Sequence, residues 1–224
     1  MAIAVGSSVT QSPGVDSFGK MKLKIAQYVQ APNDPEVLEM AGDGVHDAID
    51  YLNAQPWKWN YASQDITLVA STDTYSLVDT FKKPRRAQLL DTSSKVYSYL
   101  KWKDPKTFWD EHTDQSSEGH PQFYTASSPT TIGKVELDVE PTSAFVALYP
   151  TLRLKFIRRI ARPTSDGGSV LVPSEAQSFL LWYGRWYLGS TRGIAGKDID
   201  RAMTQWNRIW RRLRADDDEV MVDF

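Results

Sequence analysis

The chain has no cysteine among its 224 residues and only three histidines. The first absence excludes disulfides, thiolate metal sites and cysteine nucleophiles, and leaves the compartment open. The second leaves histidine-based triads little to draw on. No G-x-S-x-G, G-x-x-x-x-G-K-[ST] or G-x-G-x-x-G is present. Neither a nucleophile elbow nor a glycine-rich phosphate cradle is therefore expected. No apolar run approaches the roughly 18 residues of a membrane span, so no membrane partner is expected. The opening MAIAVGSSVTQSPG lacks a basic leader, and no signal peptide is expected. Neither sign of charge dominates: 26 Lys and Arg against 28 Asp and Glu give a net charge of −2. That supplies no global field for nucleic acid and no acidic bias toward disorder.

What the chain has instead is aromatic mass: 8 Trp, 10 Tyr and 8 Phe. Such a load belongs to a dense core or to large contact surfaces. Hydrophobic residues at 41% and charged residues at 24% are ordinary for a globular protein. The length fits one domain with an elaboration, or two small ones.

Residues 1–15 are small and polar and read as a flexible arm. Phe18, Met21, Ile25 and Tyr28 then share one helical face. QAPNDP breaks that helix. Asp34 as N-cap and Pro35 at the first position open a second one. Its stripe is Val37, Leu38, Ala41, Val45, Ala48, Ile49 and Leu52, weakened at Gly42 and Gly44, and Pro56 ends it. Downstream the period becomes two. QDITLVAS, DTYSLVD, RRAQLLD, KVYSYLKW, QFYTASS, KVELDVEP and LRLKFIRRIAR read as strands. Asp104 and Pro105 open a short helix between them. Ser174 and Gln177 form a capping box before a helix bearing Phe179, Leu180, Tyr183, Trp186 and Tyr187. Asp198 caps the last helix, whose stripe is Ile199, Ala202, Met203, Trp206, Ile209, Trp210 and Leu213. No internal repeat is visible.

The fold class is therefore α+β: an antiparallel helical bundle of about four helices with an inserted antiparallel β-rich subdomain. The bundle takes residues 16–56 and 170–215, and the insertion residues 57–169. An acidic and apolar tail, 216–224, follows. Early and late helices must pack together to bury their stripes. Trp57 and Trp59 stand at the junction. As i and i+2 of an extended segment they would share one side and seal the passage from bundle to β unit.

Polar clusters give little chemistry. Asp110, Glu111, His112 and Asp114 in WDEHTD match no metal spacing and read as a solvated helix end. His46, beside Asp47, reads as a satisfied structural histidine, and His120 has no identifiable partner. No catalytic, cofactor-binding or metal residue is assigned, and no enzyme activity is expected. Two basic stretches remain: KKPRR (82–86), read as a loop entering a strand, and the helix with Arg208, Arg211, Arg212 and Arg214. Either could touch phosphates. The acids after Arg214 make a solvated or interface-forming face the better reading. Asp216, Asp217, Asp218 and Glu219 are followed by apolar Val220, Val222 and Phe224. A merely solvating tail has no need of those anchors.

The stretch DAIDYLNAQPWKWNYASQDITLVASTDTYSL resembles the adaptor proteins of tailed bacteriophages, also called head-to-tail connectors or tail tubular A-type proteins. Their pattern of a helix, a tryptophan, a short gap and an x-I-T-L strand is met by Trp57, Trp59 and Ile66 to Leu68. YSLVDTFKKPRRAQLL, HPQFYT and LRLKFIRR followed by a terminal helix pair continue the likeness over residues 34–214.

That resemblance implies a structural virion protein in the neck, assembled in the host cytoplasm. It implies a ring, in that family usually of twelve copies, between the portal and a tail or nozzle protein. DNA would pass through it without sequence-specific binding. The portal-docking residues it suggests are Arg208, Arg211, Arg212, Arg214, Asp216, Asp217, Asp218, Glu219, Val220, Val222 and Phe224. The alternatives are a carbohydrate-binding or hydrolytic tail component, which needs an exposed Trp platform or a carboxylate pair, and a DNA-binding protein reading through the basic C-terminal helix.

Overall fold

A computed structural model describes residues 16–112, 116–127, 133–193 and 197–218. The described residues form a mixed α+β structure of six helices and nine strands. They divide into two compact units: Asn60–Arg159, and residues 16–59 with 160–218.

The first unit is built on the strands expected from period-two alternation. They are β1 (Tyr61–Thr67), β2 (Thr74–Ser76), β3 (Phe81–Leu90), β4 (Val96–Trp102), β6 (Phe123–Ser127), β7 (Lys134–Leu137) and β9 (Thr151–Arg158). They form one seven-stranded sheet in the order β1-β9-β3-β4-β6-β7-β2. β5 (Glu118–Gly119) and β8 (Glu140–Pro141) make a second, two-stranded sheet. One sheet face carries Leu152, Leu154, Phe156, Ala87 and Leu89, all buried. The two edges of the large sheet are tied by a side chain. Gln64 of β1 is buried, donates from Nε2 to Ser76 O of β2 (3.2 Å) and accepts from Val78 N (3.1 Å). An amide is suited to this because it offers donor and acceptor at once.

Three expectations for this unit need correction. The sheet is not antiparallel throughout: β4 and β6 pair in parallel through Lys101↔Phe123 and Trp102↔Tyr124. The intervening segment with α3 (Pro105–Glu111) serves as the crossover that a parallel pair requires. KKPRR lies inside β3 rather than in a loop. The strand tolerates Pro84 because its register against β9 shifts between Phe81 and Lys83 and again between Pro84 and Arg86, and bulges are where a strand accommodates proline. Finally, α4 (Ser143–Leu148), capped by Thr142 Oγ1 accepting from Phe145 N at 3.2 Å, has no counterpart in the sequence reading.

The second unit holds α1 (Phe18–Tyr28), α2 (Pro35–Asn53), α5 (Ser174–Thr191) and α6 (Lys197–Asp218). α1 packs on α2 and α5, α2 on α5, and α5 on α6. Asp34 caps α2 as expected, its Oδ1 accepting from Glu36 N at 3.0 Å and Val37 N at 3.4 Å, with Pro35 in the first turn. Asp104 likewise caps α3 through Thr107 N at 3.1 Å. The glycines of α2 have a packing reason. A Cβ on Gly44 would stand 3.2 Å from Gly184 Cα and 3.0 Å from Tyr187 Cδ1. The pair lets α2 and α5 approach closely.

Several local readings change here. Ser174 is the first residue of α5 and makes no capping box. Pro173 stands at the cap without a side-chain bond, Ser174 Oγ donates to Glu175 Oε2 (3.0 Å), and Gln177 N donates to Pro173 O (2.9 Å). Asp198 lies within the first turn of α6 rather than before it. Met203 is 42% exposed and leaves the stripe, whereas Ala202 and Leu213 are buried in it. α6 continues through Asp216, Asp217 and Asp218, so the first acids extend the helix instead of starting a tail. Nothing in RLRADDD breaks a helix: it holds no glycine or proline.

Candidate interaction surfaces

Trp57 is almost fully buried in the helical unit. Its Nε1 donates to Leu52 O (2.8 Å), and its ring meets Trp210 edge-on at 5.3 Å. Trp59 stacks beside it at 6.0 Å and 20°. The two rings do lie together, but not through an extended segment. Trp59 sits in a 3-10 turn, Lys58–Asn60, so a tight turn creates the stack. Tyr51, Phe179, Tyr183, Trp186 and Trp206 extend the aromatic cluster, with ring centroids 5.2–6.1 Å apart. Trp57 is thus core, with Trp59, Trp186, Trp206 and Trp210 half-buried against that core.

The arginines singled out on α6 are on the surface. Arg208, Arg211, Arg212 and Arg214 are exposed, on the side away from Leu213 and Ala202. Arg212 faces the first turn of α5 and helps hold the Glu175 carboxyl below its usual range, behind that group's own backbone and Ser174 bonds. Of the other docking residues, Asp216, Asp217 and Asp218 close α6. Glu219, Val220, Val222 and Phe224 lie outside the described residues.

The other surface lies on the second face of the seven-stranded sheet, where Gln88, Leu90 and Ile157 are buried but the charged side chains around them are exposed. The registers Asp65↔Arg153, Arg153↔Gln88 and Gln88↔Tyr99 run across β1, β9, β3 and β4. Arg86 pairs with Lys155 one step along. Side chains at i and i+2 share a face, so Tyr61 and Asp65, Arg153 and Lys155, and Tyr99 and Lys101 stand on this one, whereas Tyr97 sits at a register shift of β4. The shift at Pro84 adds Arg85 beside Arg86: the guanidinium of Arg85 lies 5.1 Å from the Tyr61 ring and that of Arg86 5.1 Å from the Tyr99 ring. Arg85 Nη2 also donates to Tyr61 Oη. Lys83, Arg85, Arg86, Lys101 and Lys155 are all exposed. Arg153 is held by Asp65 in a two-pronged ion pair, both contacts 2.7 Å. Asp65 is the single acid in the sequences of these four strands. Burial first, then Arg159 and Lys83, lower the pKa of Lys82.

Exposed apolar side chains gather in the same unit. Val96, Tyr97, Tyr99 and Trp102 of β4 are 43–56% exposed, and Trp109 of α3 is 48% exposed. Tyr97 stacks on Tyr149 at 3.7 Å and 18°. Trp109 Nε1 donates to Glu136 Oε2 (2.8 Å).

The polar clusters behave as structural groups. His46 Nε2 donates to Pro163 O (3.1 Å), and its ring stacks on Phe18 at 5.0 Å and 7°. Glu111 pairs with Lys103, whose Nζ also lies 3.2 Å from His112 Nε2. Asp114 lies outside the described residues. His120 packs on the Phe145 ring at 4.8 Å. Among the described residues no three His, Asp or Glu come together as a metal cage, and no helix is long and apolar enough to cross a membrane. Arg158 is buried; its Nε donates to Asn60 Oδ1 (2.8 Å), Asn60 Nδ2 donates to Arg158 O (2.6 Å), and burial lowers its pKa.

Sequence reasoning noted KKPRR but missed the rest of the basic face. Lys155 and Lys101 come from segments far away in the chain and join Arg86 only through strand pairing. The one available signal was Pro84 within a β-like run, which implies a bulge and hence two successive arginines on one side.

No protein-family model matches the chain, and no curated protein matches it. Among solved structures it is similar to one described as "Neck of native GTA particle computed with C12 symmetry", at 13% identity over 92% of this chain and 94% of that chain, with a TM-score of 0.30.

Proposed function

We propose that this chain is a non-enzymatic structural protein of a tailed-phage neck, a head-to-tail adaptor that forms a closed ring between portal and tail and continues the DNA channel. The resemblance over residues 34–214 supports the reading. So does one structural observation: large apolar side chains, Val96, Tyr97, Tyr99, Trp102 and Trp109, are left exposed on the β-rich unit. Aromatic side chains are enriched where proteins meet other proteins. A ring subunit must present two different lateral surfaces that repeat around an axis.

Mass photometry and negative-stain imaging of the purified chain, with and without the portal of the same virus, test the proposal. Closed rings, alone or on the portal, are expected. A chain that stays monomeric at saturating portal, with only one or two copies per virion, rules the adaptor out.

A further inference from the structure

We propose that the basic part of this second face of the seven-stranded sheet, at Arg85, Arg86 and Lys155 with Tyr99, is a sequence-independent binding site for the phosphodiester backbone of nucleic acid. The inference goes beyond the adaptor reading and does not depend on it.

The argument starts from charge. The protein as a whole carries −2, yet β1, β9, β3 and β4 place Lys83, Arg85, Arg86, Lys101, Arg153 and Lys155 on one face against Asp65. Asp65 is already engaged with Arg153, so within these four strands no acid is left for the remaining cations. A polyanion is the complementary occupant.

Geometry then selects among polyanions. Arg85 and Arg86 are held over tyrosine rings. This fixes the planes of their guanidinium groups and lowers the ordering cost of two-pronged phosphate contact. Tyr99 is 56% exposed with Arg86 over one side of its ring and offers an aromatic surface among the cations, as sites that bind nucleic acid without sequence preference do. A carboxylate-rich peptide would use the cations but has no use for the rings. The face presents no helix to enter a groove, so sequence-specific readout is not part of the proposal.

Fluorescence anisotropy of the full chain against a labelled duplex and a labelled single strand, over a salt series, tests it. Wild type is expected to bind both, with affinity falling steeply as salt rises. Replacing Arg85, Arg86 and Lys155 together by alanine removes three phosphate contacts. It should weaken binding at low salt at least tenfold and flatten the log–log salt slope by about 2–3. The charge-keeping set R85K, R86K and K155R should retain most of the slope, which guards against misreading a folding defect. Y99S should weaken the single strand more than the duplex. R208A with R211A on α6 should leave the affinity for both nucleic acids unchanged, whatever it does to portal docking. No binding by wild type at about 50 mM salt, or a loss confined to the α6 variant, overturns the proposal. Competition by polyglutamate as strong as by DNA of equal charge also overturns it, in favour of an acidic protein partner.

Discussion

Tyr124 carries its hydroxyl into the core of the β-rich unit, where it is almost fully buried and finds no hydrogen-bond partner among the described residues. Burial raises its pKa above the ordinary phenol value. In the helical unit, burial and the bond to Asp47 Oδ2 (2.6 Å) do the same to Tyr183. Both groups hold their protons to higher pH folded than unfolded. Above a pH of about 10 the unfolded chain releases protons that the folded chain keeps, so stability is full below that pH and falls as pH rises through the folded values. A denaturation series from pH 8 upward should show this loss, and Tyr124→Phe should reduce it. The same substitution removes an uncompensated buried hydroxyl and should raise stability at neutral pH by roughly 1 kcal/mol. A drop instead would show that the hydroxyl is satisfied. Trp57 is the opposite case, since its ring and its Nε1 are both used. Trp57→Ala should cost about 3–5 kcal/mol in urea unfolding, and an unchanged midpoint would show the ring to be dispensable.

At the scale of elements, the contact between α2 and α5 depends on Gly44 meeting Gly184. A leucine at 44 cannot place its side chain without moving a helix backbone, so Gly44→Leu should destabilise by about 1–3 kcal/mol. Gly167 has nothing within 4 Å of a Cβ, so Gly167→Ala should stay within about 0.5 kcal/mol. Thermal melts of both variants distinguish a packing requirement from a general intolerance of side chains. The same elements show what a sequence can disclose. Asp34–Pro35 and Asp104–Pro105 were readable because caps act through residues two or three positions away. The seven strands of the large sheet were readable because alternation is local. The parallel pairing of β4 with β6 was not, because it is set by where the crossover segment returns. α4 was missed because six residues hold one buried anchor, Phe145, too few to show a helical period. The α6 boundary was misplaced because a run of acids was taken for a change of structure. Aspartates at a helix C-terminus oppose the macrodipole, but they do not break the helix.

For the molecule as a whole, a net charge of −2 conceals strong local asymmetry. The cations of β3, β4 and β9 gather on one sheet, while Asp216, Asp217, Asp218, Glu219 and Asp223 crowd the last nine positions of the chain. The basic sheet face became legible only once pairing had brought distant residues together. The acidic end was legible from composition alone. In the adaptor reading that end docks on the portal: its acids steer the approach and Val220, Val222 and Phe224 fill pockets. Because α6 includes Asp218, the informative truncation ends the chain after Asp218, not within the helix. It keeps every described residue, so helix content and melting temperature should match wild type. Pull-down with portal should nevertheless fail, and particles assembled with the truncated chain should leak DNA. If the truncated chain joins portal with wild-type affinity and supports infection, the tail is not the docking element. Charge reversal at Arg208 and Arg211, on the exposed face of α6, would then be the variant expected to abolish docking, because that face is the remaining part of the proposed site.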